Sequence, residues 1–158
     1  VRTVGLSLLG VTAALALTAC SNGDVGRRAL ANAPLEQRLA HADPAHGAGV
    51  FRRCAACHNL SEGGGDRDGP NLWGVLGKPV ATNSARFSYT AALSRAGDLW
   101  TCARLDRWLT DPARFAPGTI MAFPGLSDGD DRADVIAFLA RNGGAPASAA
   151  CPRGLDRD

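Results

Sequence analysis

Lysine, one-sided charge and long apolar runs are what this chain has least of. Seventeen Lys and Arg stand against fifteen Asp and Glu, a formal charge of +2. With no basic run or stripe, nucleic acid is excluded as a partner. Lys78 is the single lysine, a preference for arginine that reflects genome composition and carries no functional reading. The apolar run from Val4 to Ala19 falls short of the roughly 20 residues that cross a bilayer comfortably. A chain of 158 residues suits one domain with segments outside its core.

What the first residues do contain is the layout of a secretory signal. Arg2 precedes the apolar run, which ends in Leu17-Thr18-Ala19-Cys20 with small residues before the cut. That ending also resembles a bacterial lipobox, in which Cys20 becomes the lipidated N-terminus of the mature protein. An ordinary signal cut near a cysteine, or an uncleaved anchor, has the same layout. Residues 1–19 are thus expected to be the signal peptide with its lipobox. Residues 20–43, with Gly, Asn and Pro34 but no sustained apolar period, are expected to be the lipid-anchored tether. Within them Leu35 to His41 has the pattern of a short amphipathic helix. Several acyl chains would hold the protein stably on the membrane.

Cys54-Ala55-Ala56-Cys57-His58 is the stretch on which the rest depends. Two cysteines three positions apart can bond to the two vinyl groups of a haem while the adjoining imidazole reaches its iron. A half zinc site and a thioredoxin-like dithiol are the rivals. Zinc needs more clustered ligands, and a thioredoxin needs β-α-β patterning that is not found nearby. Before the motif, Asp43-Pro44 places an N-cap before a proline, and Val50, Phe51 and Cys54 follow at helical spacing. After it, Asn59 to Gly69 reads as a mobile polar loop. Leu105, Trp108 and Leu109 mark a helix closed by Asp111-Pro112. Ser127 to Asp131 caps a last helix bearing Val135, Phe138 and Leu139, which Asn142-Gly143-Gly144 ends.

Three segments, Gly47 to His58, Gly69-Pro70-Asn71-Leu72-Trp73-Gly74 and Pro117-Gly118-Thr119-Ile120-Met121, resemble the class I cytochrome c family, in its order. The resemblance covers about residues 44–142. It implies an all-α class I cytochrome c fold, about four to five helices wrapped around one covalently bound haem c. It also implies thioether bonds from Cys54 and Cys57, and iron held by His58 and Met121. The Pro70 carbonyl would accept the proton of the far nitrogen of His58, fixing its tautomer. Tyr89, Trp100, Lys78 and Thr119 match positions that contact the haem propionates. Gly47 and Phe138 match the pair at which the first and last helices cross. Trp108 stands where many relatives carry tyrosine near the methionine.

These residues imply an electron-transfer protein and not an enzyme: a one-electron carrier of an exported chain, cycling between Fe(II) and Fe(III). Its partners would be a donor and an acceptor redox protein and, through Cys20, the membrane on the periplasmic side. It would act as a monomer or as a subunit of a respiratory complex. One alternative is a haem subunit docked to a dehydrogenase or oxidase. Another is a haem peroxidase or gas sensor with a labile Met121, for which only His41 and His46 remain as distal groups. Cys102 and Cys151 are left over, and in an exported chain such a pair is most simply a disulfide. It would tie the tail, residues 143–158, back to the domain.

Overall fold

Six helices and their connections make up residues 30–143, which together with residue 151 are described by the computed structural model. They are α1 (Leu35–Ala40), α2 (Pro44–Phe51), α3 (Ala91–Ala96), α4 (Cys102–Thr110), α5 (Pro112–Phe115) and α6 (Gly129–Arg141). Among the described residues the sole β pairing is an isolated bridge between Pro79 and Leu99. The fold is all-α, with short α1 and α5 carrying the number above the expected four to five. No helix among the described residues is long and apolar enough to cross a membrane. Residues 1–29, with the expected signal peptide and Cys20, lie outside the described residues.

The frame is the crossing of α2 and α6. Asp43 starts α2 by accepting from Ala45 N at 2.8 Å, with Pro44 in the first turn. Asp128 starts α6 by accepting from Asp130 N and Asp131 N. A Cβ built on Gly47 would lie 2.1 Å from the Asp134 carbonyl oxygen and 3.0 Å from Phe138 Cβ. Only glycine lets the helices approach this far. Phe51 and Phe138 meet beside them with ring centroids 5.3 Å apart. His46 is drawn to the same junction, its Nδ1 2.9 Å from Asp134 Oδ2.

Within the expected tether, residues 30–43 form a docked strap that carries the expected short helix: Leu35 and Leu39 pack on the core and Arg38 is 6% exposed. Arg38 makes a two-pronged contact with Asp106 on α4, Nη1 to Oδ1 at 3.0 Å and Nη2 to Oδ2 at 2.9 Å. Arg132 on α6 donates to the same carboxylate through Nε at 2.8 Å. Burial alone would raise the Asp106 carboxyl, but the hydrogen bonds and charges of Arg38 and Arg132 outweigh it and hold it below the usual carboxylate range. Removing one member of such a buried cluster costs about 3–5 kcal/mol, since a charge is left uncompensated.

Cys102, at the start of α4, is joined to Cys151 in a disulfide with Cα atoms 5.4 Å apart. That bond ties the tail to the domain at residue 151. Thr101 caps α4 by accepting from Arg104 N at 3.1 Å. Leu105, Trp108 and Leu109 face inward from it.

Candidate haem site

Helix α2 ends at Phe51, earlier than the helical spacing through Cys54 suggests. Arg52 N and Arg53 N bond three residues back, to Gly49 O and Val50 O, which tightens the last turn. Turns then carry the motif: Cys54 N donates to Phe51 O at 2.8 Å and His58 N to Cys54 O at 2.9 Å. Among the described residues Cys54 and Cys57 are the free cysteines, the first half-buried and the second exposed. Burial pushes the Cys54 thiol up, against the opposing charge of Arg53.

His58 Nδ1 lies 2.8 Å from the Pro70 carbonyl oxygen. Because a carbonyl only accepts, this contact puts the proton on Nδ1 and the free lone pair on Nε2. Burial lowers the His58 pKa, with the Pro70 bond opposing, so the neutral, ligating form is favoured. The ring rests directly on Gly69, where a Cβ would come 2.4 Å from Cε1 and 2.7 Å from Nδ1. Gly69 is a positioning residue that the turn pattern alone did not single out.

The loop of residues 59–69 has no regular structure, as its glycines imply, yet it is tied at many points. Asn71 Nδ2 donates to Ser61 O and Gly64 O, each at 2.8 Å. Asp66 accepts from Asn71 N at 2.8 Å and from Ser84 Oγ at 2.6 Å. A run of Gly and Asp looks the same in sequence whether solvated or pinned, so these ties emerge only from the fold.

The opposite wall comes from α4, α5 and the segment after them. Trp100, Trp108 and Phe115 form one aromatic cluster, with centroids 5.6 to 5.8 Å apart. Met121 is half-buried against the same core as Cys54, Leu72, Leu93 and Phe123. Thr119 Oγ1 accepts from Met121 N at 3.3 Å, which leaves the hydroxyl proton to donate elsewhere. The Pro79–Leu99 bridge lays Lys78 beside Trp100, with Trp100 N donating to Lys78 O at 2.8 Å. Tyr89 accepts from Ser84 N at 3.0 Å. Burial and the Asp66 charge raise its pKa, so its phenol stays a donor. Trp100 is buried, whereas Lys78 is exposed.

This donor set fits a covalently held haem. Two free thiols stand one turn apart, an oriented imidazole follows them, and a thioether lies on the same core. Tyr89, Thr119, Trp100 and Lys78 carry the hydrogen-bond donors expected to meet its carboxylates.

The cytochrome c family model matches residues 44–142. A cytochrome c homolog of Bradyrhizobium diazoefficiens is 40% identical over 114 residues, covering 72% of this chain and 62% of that protein. A cytochrome c homolog of Rickettsia felis is 39% identical over 118 residues, 75% of this chain and 66% of that protein. The chain therefore spans only part of the length of these relatives. Among solved structures, cytochrome cH from Methylobacterium extorquens has 38% sequence identity and a TM-score of 0.60, covering 63% of this chain and 99% of its own.

Proposed function

The chain belongs to the cytochrome c family, and on that premise we propose that it is a one-electron carrier of an exported electron-transfer chain. Members of the family carry covalently attached haem c, whose iron supplies the one-electron couple when bound. Cys54 and Cys57 would attach it, and His58 and Met121 would ligate the iron. The observation that carries this reading is the pairing of the Cys54 to His58 turn, its imidazole aligned by Pro70 O at 2.8 Å, with Met121 on the same core.

The protein's own work is then to hold two ligands in place while the charge on the site changes. His58 is braced by Gly69 and Pro70, and Met121 by Thr119 and the packed loop around it. Two strong ligands leave no open position for a substrate, which separates a carrier from a peroxidase or gas sensor. Ile120, 71% exposed beside Met121, offers an apolar contact to a redox partner. Arg53, over the Phe123 ring at 5.4 Å, gives the same region a positive charge.

Export and lipidation at Cys20 complete the reading, supported by Leu17-Thr18-Ala19-Cys20. Since residues 30–43 are docked, an anchor at Cys20 would be separated from the domain by residues 21–29, at most roughly 35 Å even fully extended. The haem domain would stay close to the membrane surface.

The test is carbon monoxide titration of untreated ferrous holoprotein at neutral pH, beside peroxide turnover. Weak binding and negligible turnover are expected, with Met121→Ala raising both and lowering the reduction potential. Ready saturation at micromolar carbon monoxide together with sustained turnover would put the enzyme or sensor reading first.

A further inference from the structure

The segment bearing Met121 leaves α5 after Phe115 and rejoins regular structure at Asp128, the cap of α6. Its far end is held closely to α4. Leu126 N donates to Leu109 O at 2.7 Å, and Gly125, with φ +92°, sits where a Cβ would lie 2.1 Å from Thr110 O. Three carbonyls at this end then face two guanidinium groups. Arg132 Nη1 donates to Leu126 O at 2.7 Å and to Ser127 O at 3.0 Å. Arg38 Nη1 donates to Gly129 O at 2.7 Å. Both arginines are held by Asp106 on α4, and Arg38 is further aligned by Ala33 O, at 2.9 Å from Nε. A Cβ at Gly129 would come 2.1 Å from Ala31 O, so the strap and the start of α6 are in direct backbone contact.

We infer that Arg38 is a positioning residue for Met121: the N-terminal strap clamps the end of the ligand segment and thereby keeps the sixth iron position closed. Arg38 lies outside residues 44–142, the span matched by the family, and it belongs to none of the ligand or propionate positions. Its side chain joins three elements, α1, α4 and the start of α6, where the segment is anchored. Without it Gly129 O loses a charged donor, and Asp106 keeps one of its two arginine partners. The segment would still be tied through Arg132, so the effect is a shift in the open population and not a collapse. The inference rests on Met121 being the displaceable sixth ligand.

The experiment uses full-length holoprotein and compares wild type, Arg38→Ala, Arg38→Lys and Val135→Ala. Val135, fully buried in α6, has no polar side-chain atom with which to bond Arg38 or Asp106, and its truncation serves as a general destabiliser of the core. Two quantities are read for each: carbon monoxide affinity of the ferrous form without denaturant, and the urea midpoint of helix loss. When a ligand binds only the open form, its apparent affinity scales with the open fraction. Arg38→Ala should therefore bind carbon monoxide about tenfold more tightly, the scale of one lost charged hydrogen bond. Arg38→Lys, which keeps the charge and loses the fork, should fall between. Val135→Ala should lower the urea midpoint without a matching rise in affinity. If Arg38→Ala does not accumulate, Arg38→Lys against Val135→Ala carries the same comparison. Unchanged carbon monoxide affinity in the Arg38 variants, or an equal rise in Val135→Ala, would overturn the inference and leave Arg38 as part of the general scaffold. A wild type that already binds carbon monoxide tightly would instead count against the carrier reading itself.

Discussion

At the scale of single residues, the alignment of His58 is the most demanding feature. Its ring is confined between the Pro70 carbonyl oxygen and the bare Cα of Gly69. A methyl group at residue 69 would have to displace the imidazole, since the nearest ring atom lies 2.4 Å from where Cβ must go. Gly69→Ala is expected to destabilise the holoprotein by about 1–3 kcal/mol, the usual range for overpacking. The expected sign is a lower melting temperature together with an altered ligand-sensitive absorption spectrum. If both stay at wild-type values, the loop of residues 59–69 yields freely and Gly69 has no positioning role. The glycine is conspicuous in the sequence only as a neighbour of Pro70. Its contact with His58 depends on a loop folding back, through Gly69 N to Cys57 O at 2.8 Å.

At the scale of elements, two contacts decide how the helices sit. Helix propensity alone would make Gly47→Ala stabilising by about 1 kcal/mol. The backbone of Asp134 reverses the sign, because the new Cβ would come 2.1 Å from a carbonyl oxygen that cannot rotate away. Destabilisation of about 3 kcal/mol is expected, at the upper end of overpacking, and a urea titration followed by helix content measures it. The second contact is the Arg38, Asp106 and Arg132 cluster, and its pH dependence has a definite sign. Asp106 has a lower pKa folded than unfolded, so its contribution is fully present above the ordinary value of about 3.9 and is lost as pH falls through the depressed folded value. Asp106→Asn should therefore lower stability at pH 7 by about 3–5 kcal/mol. It should also flatten the fall in urea midpoint below about pH 4. An unaltered acid profile would show that other carboxylates govern that limb.

For the whole molecule, the described segments that flank the core are tied to it, residues 30–43 through Arg38 and the tail through Cys151. The disulfide closes a loop with a sequence separation of 49, worth about 4 kcal/mol in the chain-entropy account. Reduction should lower the melting temperature while leaving the haem spectrum nearly unchanged, because neither cysteine belongs to the attachment turn. A large spectral change on reduction would mean that the bond supports the haem wall. At the other end, Cys20→Ser should move mature protein from the membrane fraction to the soluble one if acylation is the anchor. Unchanged partition, with residues 1–19 intact by mass spectrometry, would identify an uncleaved signal as the anchor.

Legible in the sequence are the residues expected to attach and ligate a haem, the starts of α2 and α6, and the all-α class. The reason is that the spacing of Cys54, Cys57 and His58 is local and caps such as Asp43 and Asp128 act within one turn. Tertiary structure alone decided what Arg38 and Gly69 do, and that residues 30–43 belong to the domain. Arg38 and Asp106 are 68 positions apart, and an arginine in a polar stretch looks solvated until packing of Leu35 and Leu39 removes water from around it. The physical reason is range. A motif encodes contacts within a few residues, whereas the partner of a buried charge is chosen only when α1, α4 and α6 are brought together.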